Sequence, residues 1–129
     1  MNNLVLAYLG DAVYELHIRL YLISKGIAKV KNLQQESLNY VSAKSQRRIL
    51  EELENRNILT EEEIEIVNRG RNADSHSSKT TDIITYKKAT GLECLIGYLY
   101  QNNKSRLKEI LDYITGELWE YVEKMFLMN

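Results

Sequence analysis

The chain has no proline, one cysteine and only six glycines among its 129 residues. Without proline, the residue that most strongly interrupts helices is missing, and the lone Cys94 cannot form an internal disulfide bond. In its apolar helical run this thiol acts as a small hydrophobe, which suits a reducing compartment. The sequence also lacks a basic, apolar leader and any apolar run of about 18 residues that could span a membrane. We therefore expect a cytoplasmic protein with no membrane segment.

Apolar residues recur at helical spacing along the whole chain, and 44% of the residues are hydrophobic. This amount of apolar sequence can build one core, while 129 residues are too few for two ordinary domains. We expect an all-α bundle in which residues 1–129 form a single domain. In the first helix, expected at 3–24, the spacing predicts a buried face made of Leu6, Leu9, Val13, Leu16, Leu20 and Ile23.

Capping signals place the later helices. Asn32 is expected to cap a helix at 33–41, and Ser42 or Ser45 to begin the next one, which runs to about residue 55. Thr60 followed by Glu63 is a capping box, which gives the surrounding glutamates a structural role at a helix start. Two further helices are expected, one at 83–101 and one that begins at Asn103 or Ser105 and carries a long apolar stripe.

Charge is segregated along the chain although the net charge is only −1. Residues 51–65 carry seven glutamates against one arginine, whereas residues 67–90 carry five basic residues against two aspartates. Binding to phosphate groups depends on local clusters of lysine and arginine rather than on the total charge. The overall balance therefore does not exclude a nucleic acid as a partner.

Two carboxylates interrupt apolar helical stretches where a core helix would avoid them. Asp11 follows Gly10 in the first helix, and Glu93 lies in the apolar run of the helix expected at 83–101. Buried charges of this kind need a partner or a cation. On the first helix Asp11, Glu15 and Arg19 fall on one polar face, so the helix has a core side and a polar side.

The segments around these acids resemble the two signature motifs of the ribonuclease III family. The first is Leu9-Gly10-Asp11-Ala12-Val13 followed by Glu15, and the second is the run from Tyr86 to Tyr100 around Glu93. Their order and the length of the chain resemble the small branch called Mini-ribonuclease III. The resemblance implies a ribonuclease III endonuclease-domain-like helical bundle.

The resemblance implies that Asp11 and Glu93 are catalytic and bind Mg²⁺, with Mn²⁺ able to substitute, because carboxylate and water oxygens suit a hard dication. Glu15, one turn beyond Asp11, is expected behind the metal ligands, where it holds a metal-bound water or pairs with Arg19. Larger members carry two more acids, at the positions of Ala7 and Thr90. A site with two of the four acids is expected to bind metal more weakly and with more water ligands.

A polar stretch at 72–82 is the only long loop that the sequence predicts. Arg69-Gly70-Arg71-Asn72-Ala73, just before it, also resembles a run found in Mini-ribonuclease III. Guanidinium and amide groups can bond to phosphates and ribose hydroxyls. The residues expected to bind RNA are Lys44, Arg69, Arg71, Asn72 and Lys79. An alternative interpretation of the polar group formed by Lys44, Gln46, Arg47 and Arg48 is a solvated helix surface. The alternative interpretation of the loop is a plain linker.

The family resemblance further implies cleavage of double-stranded RNA by a homodimer, in maturation of the 23S ribosomal RNA precursor at a base-paired stalk. A ribosomal protein or ribosomal particle is a further candidate partner. The first helix and the segment 91–99 are the expected dimer surfaces. Larger members carry a separate double-stranded-RNA-binding domain, for which 129 residues leave no room, so the basic residues above are expected to hold the duplex alone, with strong salt dependence.

Three other interpretations remain. The losses at Ala7 and Thr90 favour a catalytically inert helical domain that binds RNA or a ribosomal partner, although such a domain has no reason to bury two carboxylates. A metalloprotein using His17, His76 and Cys94 is disfavoured because their spacing matches no ligand pattern. A general helical interaction module would leave the acidic pair unexplained.

Overall fold

The computed structural model of the chain describes residues 1–73, 82–121 and 124. The regular elements in these ranges are all helical, so the all-α prediction is confirmed. The helices are α1 (Asn3–Ser24), α2 (Val30–Val41), α3 (Ala43–Asn55), α4 (Glu61–Arg71), α5 (Ile83–Asn102) and α6 (Lys104–Tyr113), and α6 continues into a π-helical turn, Ile114–Leu118. No helix in the described ranges is long and apolar enough to cross a membrane.

Side-chain caps begin most of these helices. Thr60 and Glu63 form the predicted capping box, with reciprocal bonds of 2.9 and 3.1 Å. Ser42 and Asn103 cap α3 and α6, as the sequence indicates. The predicted cap at Asn32 is wrong: α2 begins at Val30, because the N–H of Leu33 already bonds to the carbonyl of Lys29.

Helix α5 lies at the centre of the fold and packs against α1, α3, α4 and α6. Its side chains Leu92, Leu95 and Ile96 have no exposed surface. The dimer surface expected at 91–99 is therefore wrong for the apolar residues of this segment, because the chain's own helices cover them. A residue on α5 can face elements from both ends of the sequence.

The buried face of α1 differs from the predicted one. It consists of Leu6, Ala7, Gly10, Tyr14, Ile18 and Leu22. Three predicted core residues, Leu16, Leu20 and Ile23, are 57 to 59% exposed. Apolar residues surround most of this helix, so periodicity could not decide which side faces α5; the small residues that permit close approach decided it. The exposed side leaves an apolar surface on α1.

Helices α1 and α5 cross with their backbones in contact, at Gly10 and Gly97. A Cβ atom on Gly10 would lie 1.8 Å from the carbonyl oxygen of Glu93, and one on Gly97 would lie 1.9 Å from the carbonyl oxygen of Leu6. Both distances are far inside van der Waals contact. Only glycine fits at either position, so this pair fixes how α1 lies on α5.

Helix α6 and the turn after it pack against α2 and α4. The ring of Trp119 lies on the ring of Tyr40, with centroids 4.0 Å apart, and Trp119 is buried as the apolar stripe predicts. Val122 and Phe126, the last residues of that predicted stripe, lie outside the described residues. Arg106 on α6 bonds to both carboxylate oxygens of the buried Glu63, at 2.8 and 2.9 Å, and to the carbonyl of Ile58 at 2.8 Å.

Candidate active site

The acidic pair lies where α1 and α5 cross. Because Gly10 packs directly on the backbone of Glu93, the next residue, Asp11, comes beside the Glu93 side chain. The two carboxyl groups interact through a side-chain hydrogen bond. Asp11 is exposed, whereas Glu93 is half-buried. Residues 82 positions apart in the chain thus form one acidic site that opens to solvent on the Asp11 side.

The electrostatics of the pair are unfavourable when both acids are charged. Burial, together with the hydrogen bond and the charge of Asp11, raises the pKa of Glu93 to about 9. A hydrogen bond from Gln46 opposes this increase. A carboxyl whose pKa is raised in this way, and which lies beside a second carboxyl, forms a site where a cation can replace its proton. The donor set therefore fits a hard divalent ion.

The positions of the two missing acids are filled by residues that cannot bind metal strongly. Ala7 is buried against α5, and the hydroxyl of Thr90 donates to the carbonyl of Tyr86 at 3.0 Å. Throughout the described ranges, no group of three or more histidine, cysteine, aspartate or glutamate residues converges. Asp11 and Glu93 are then the two protein carboxylates that the site offers.

Glu15 forms an ion pair with Arg19 at 2.9 Å, which is one of the two roles that the sequence suggested for it. The pair is largely exposed. Glu15 thus lies one turn from Asp11 and points towards its helical neighbour Arg19. A role behind the metal ligands stays a prediction.

The residues predicted to bind RNA lie on two parts of the surface. Lys44 lines a cavity of about 530 Å³ with Arg47, Arg48, Asp82 and Thr85, among others. On α4, Arg69 pairs with Glu65 at 3.5 Å, the stem of Arg71 packs against Gly91, and Asn72 ends the helix. Lys79 lies outside the described residues.

Gln46 is the residue of this site that the sequence reasoning missed. The sequence places it with the polar residues around Lys44, but it is only 2% exposed and its side chain lowers the pKa of Glu93. The sequence does indicate that Gln46 is buried, because it lies three residues before Ile49 and four before Leu50, on the apolar face of α3. A polar residue at that position of a helix has a buried partner.

The alternative metal site finds no support in the described ranges. His17 lies 3.1 Å from the hydroxyl of Thr115, and the thiol of Cys94 faces Asn3. These two residues thus have different local partners. His76 lies outside the described residues.

A helical fold that brings two carboxyls together beside solvent suits a divalent-metal-dependent hydrolase of phosphodiesters. The family model described as Ribonuclease III domain matches residues 4–104, and the chain belongs to this family. Members of the family are divalent-metal-dependent nucleases that act on double-stranded RNA and work as dimers.

Individual relatives show that the chain resembles the small branch of the family, Mini-ribonuclease III. The chain is 44% identical over 126 residues to Mini-ribonuclease 3 of Enterococcus faecalis, covering 96% of both chains. It is 45% identical over 116 residues to Mini-ribonuclease 3 of Staphylococcus aureus, covering 88% of this chain and 87% of the relative. A crystal structure of a protein from Fusobacterium nucleatum is similar with a TM-score of 0.78 and 32% identity, covering 88% of this chain and 92% of that one. The branch that the two motifs indicated is confirmed.

Proposed function

We propose that the chain is an endoribonuclease that cleaves double-stranded RNA, with Asp11 and Glu93 as the ligands of a magnesium ion. The observation that supports this most directly is the contact between the two carboxyls. Close packing at Gly10 brings them together, and burial makes their joint ionisation unfavourable. A fold that only needed stability would not hold a half-buried carboxyl beside a second one.

Each acid has a distinct part in this proposal. When bound, Mg²⁺ supplies an activated water and neutralises charge on the phosphate, and Mn²⁺ can substitute for it. Asp11 is exposed, so its carboxylate meets the substrate side of the site. The backbone of Glu93 is held where α5 crosses α1 at Gly10. Glu15 and its partner Arg19 border Asp11 and tune the surrounding charge.

The basic residues bind the duplex in the proposed function. Lys44 lines the cavity at the start of α3, where Arg47 is paired with Glu51 and Asp82, and in the proposed function Lys44 binds a phosphate of the RNA backbone. Arg69, Arg71, Asn72 and Lys79 provide a second contact region at the end of α4 and beyond. A-form RNA is recognised mainly by its shape, so we expect little sequence preference.

We also propose the wider setting. The substrate is a base-paired stalk of the 23S ribosomal RNA precursor, met in the cytoplasm either free or on a ribosomal protein or particle. The working form is a homodimer joined through the exposed apolar side of α1, which includes Leu16, Leu20 and Ile23. Residues 1–129 act as one domain, since α5 contacts helices on both sides of it in the sequence.

A cleavage assay on a long RNA duplex tests the proposal. The protein is incubated with Mg²⁺ beside the variants Asp11→Asn and Glu93→Gln, with Glu61→Gln as a matched control, because Glu61 is an exposed acid in the first turn of α4. We expect cleavage by the unmodified and control proteins only. Equal inactivity of all four, with retained RNA binding, would instead identify the inert RNA-binding domain.

A further inference from the structure

An acid lies among the cations where α3 and α5 begin. One carboxylate oxygen of Glu51 accepts a hydrogen bond of 2.7 Å from the ammonium of Lys88, and the other lies 3.4 Å from the guanidinium nitrogen Nε of Arg47. Glu51 also lines the cavity of about 530 Å³ together with Lys44. A carboxylate in the wall of a cavity that binds phosphate repels that ligand. The presence of Glu51 there therefore needs a reason.

Stability does not supply that reason. The side chains of Arg47, Glu51 and Lys88 are 33, 39 and 17% exposed, and water screens ion pairs that reach the solvent to this degree, so they contribute little to folding. Helix α3 is already anchored in the core by Ile49 and Leu50, which have almost no exposed surface. The hydrogen bond from Lys88, together with the charges of Lys88 and Arg47, lowers the pKa of Glu51, so this carboxylate is ionised at neutral pH.

The ion pairs do change what this surface offers to a polyanion. Arg47 also donates to the hydroxyl of Thr85 at 2.9 Å and lies 3.8 Å from Asp82, so its guanidinium is engaged on several sides. A cation that is paired with a carboxylate must lose that partner before it binds a phosphate, which reduces the net gain. Lys44, in contrast, is exposed and has no partner among the described residues. Lys44 is therefore ready to bind a phosphate, whereas Arg47 and Lys88 are not.

The cavity lies near the acidic pair. Thr85, in its wall, precedes Glu93 by eight residues on α5, which corresponds to about 12 Å along the helix. Lys88 is closer still, at about 7.5 Å along the same helix. A duplex that reaches Asp11 and Glu93 therefore also passes the cavity, and the charge of the cavity wall acts on the same RNA.

We propose that Glu51 is an internal counter-ion, which keeps Arg47 and Lys88 from binding phosphate groups and leaves Lys44 as the cation that binds the duplex at this cavity. This inference rests on the proposed function, because it concerns the same RNA. Glu51 itself does not contact the RNA and acts through its two cationic partners. Its effect is to make binding weaker, and less dependent on salt, than the number of basic residues alone would give.

The test measures binding of a labelled RNA duplex by fluorescence anisotropy over about 50 to 200 mM salt, without divalent metal so that the RNA stays intact. Glu51→Gln removes the charge and keeps the shape. Glu52→Gln is the matched control, because Glu52 is the next residue on α3 and pairs with Arg56 at 3.6 Å, but does not line the cavity. We expect Glu51→Gln to bind about three- to tenfold more tightly, with a log–log salt dependence about one unit steeper because one more phosphate contact forms. Glu52→Gln should keep the salt dependence of the unmodified protein; an equal change in both variants would be a general charge effect and would overturn the proposal.

Lys88→Gln gives an independent result in case Glu51→Gln does not fold. Because Arg47 keeps Asp82 and Thr85, the cation that Glu51→Gln releases is Lys88. Lys88→Gln alone should therefore leave the salt dependence unchanged, and the gain should disappear when Glu51→Gln is combined with Lys88→Gln. A salt dependence about one unit shallower in Lys88→Gln alone overturns the proposal, as does equal or weaker binding by a folded Glu51→Gln. If the unmodified protein neither binds the duplex nor cleaves it with Mg²⁺, the proposed function is wrong and the inference falls with it; binding that Glu51→Gln does not tighten refutes the inference alone.

Discussion

Replacing Gly97 with alanine tests whether the helix crossing creates the acidic site. Gly97 lies one turn after Glu93, and its missing side chain lets α1 touch the backbone of α5. A new Cβ would lie 1.9 Å from the carbonyl oxygen of Leu6, whereas ordinary contacts begin near 3.4 Å. Since the obstacle is backbone, no side chain can turn aside, and the helices must separate by about 1.5 Å.

The energetic consequence has two opposing parts. Alanine in a helix interior is favoured over glycine by about 1 kcal/mol. Overpacking at a rigid contact costs about 1 to 3 kcal/mol and more where backbone must shift. We expect a net loss of about 2 kcal/mol for Gly97→Ala, which lowers Tm by roughly 5 to 10 °C and leaves the protein folded at 20 °C.

Activity should fall further than stability. A displacement of about 1 Å at a reacting centre can lower a rate about 100-fold. Thermal unfolding and RNA cleavage at 20 °C are measured for Gly97→Ala beside Gly116→Ala, since a Cβ on Gly116 meets nothing within 4 Å. We expect the control to keep its Tm or raise it slightly, and to cleave normally. If both variants behave alike, the close crossing does not position the acids and the reasoning is refuted.

Three further predictions concern charge. Glu93→Gln should raise the Tm of the metal-free protein at pH 8 while abolishing cleavage. Burial and Asp11 raise the pKa of Glu93 to about 9, so the stability that protonated Glu93 contributes fades as pH rises towards that value. An unchanged or lower Tm would contradict this. Below pH 9, Mg²⁺ affinity measured by calorimetry should rise up to tenfold per pH unit as the proton is displaced; a flat profile from pH 6 to 8 would refute it. Arg106→Met should cost about 3 kcal/mol in urea unfolding at pH 7. Burial alone would raise the pKa of Glu63, but bonds from Arg106 and Thr60 lower it. The stability that ionised Glu63 contributes is therefore lost as pH falls below the ordinary glutamate range, and Arg106→Met should make stability depend less on pH there.

Local signals in the sequence predicted most helix ends, because caps act between neighbours. The Thr60 capping box and the cap at Asn103 depend on side chains within three residues of the helix start. The bounds of α1 followed in the same way from its periodicity. The cap at Asn32 was the exception, since an asparagine inside a first turn looks the same in sequence as one that precedes it.

Features that depend on packing could not be predicted as well. The buried side of α1 was misjudged at Leu16 and Leu20, because hydrophobicity alone does not distinguish a core face from an exposed apolar one. The π-helical turn after α6 has no local signature in the sequence. Asp11 and Glu93 were identified through their motifs, whereas Gln46 was missed because its partner lies on another helix.

The central place of α5 has a consequence for synthesis of the protein. Asp11 leaves the ribosome early, but the surface on which α1 packs is supplied by α5, about 80 residues later. Contacts this distant in sequence form late and at a high entropic cost. A growing chain with α1 to α4 alone has one acid of the pair and lacks the α5 backbone on which Gly10 packs. Under the proposed function, the nascent chain therefore cannot assemble the acidic pair before α5 has been made.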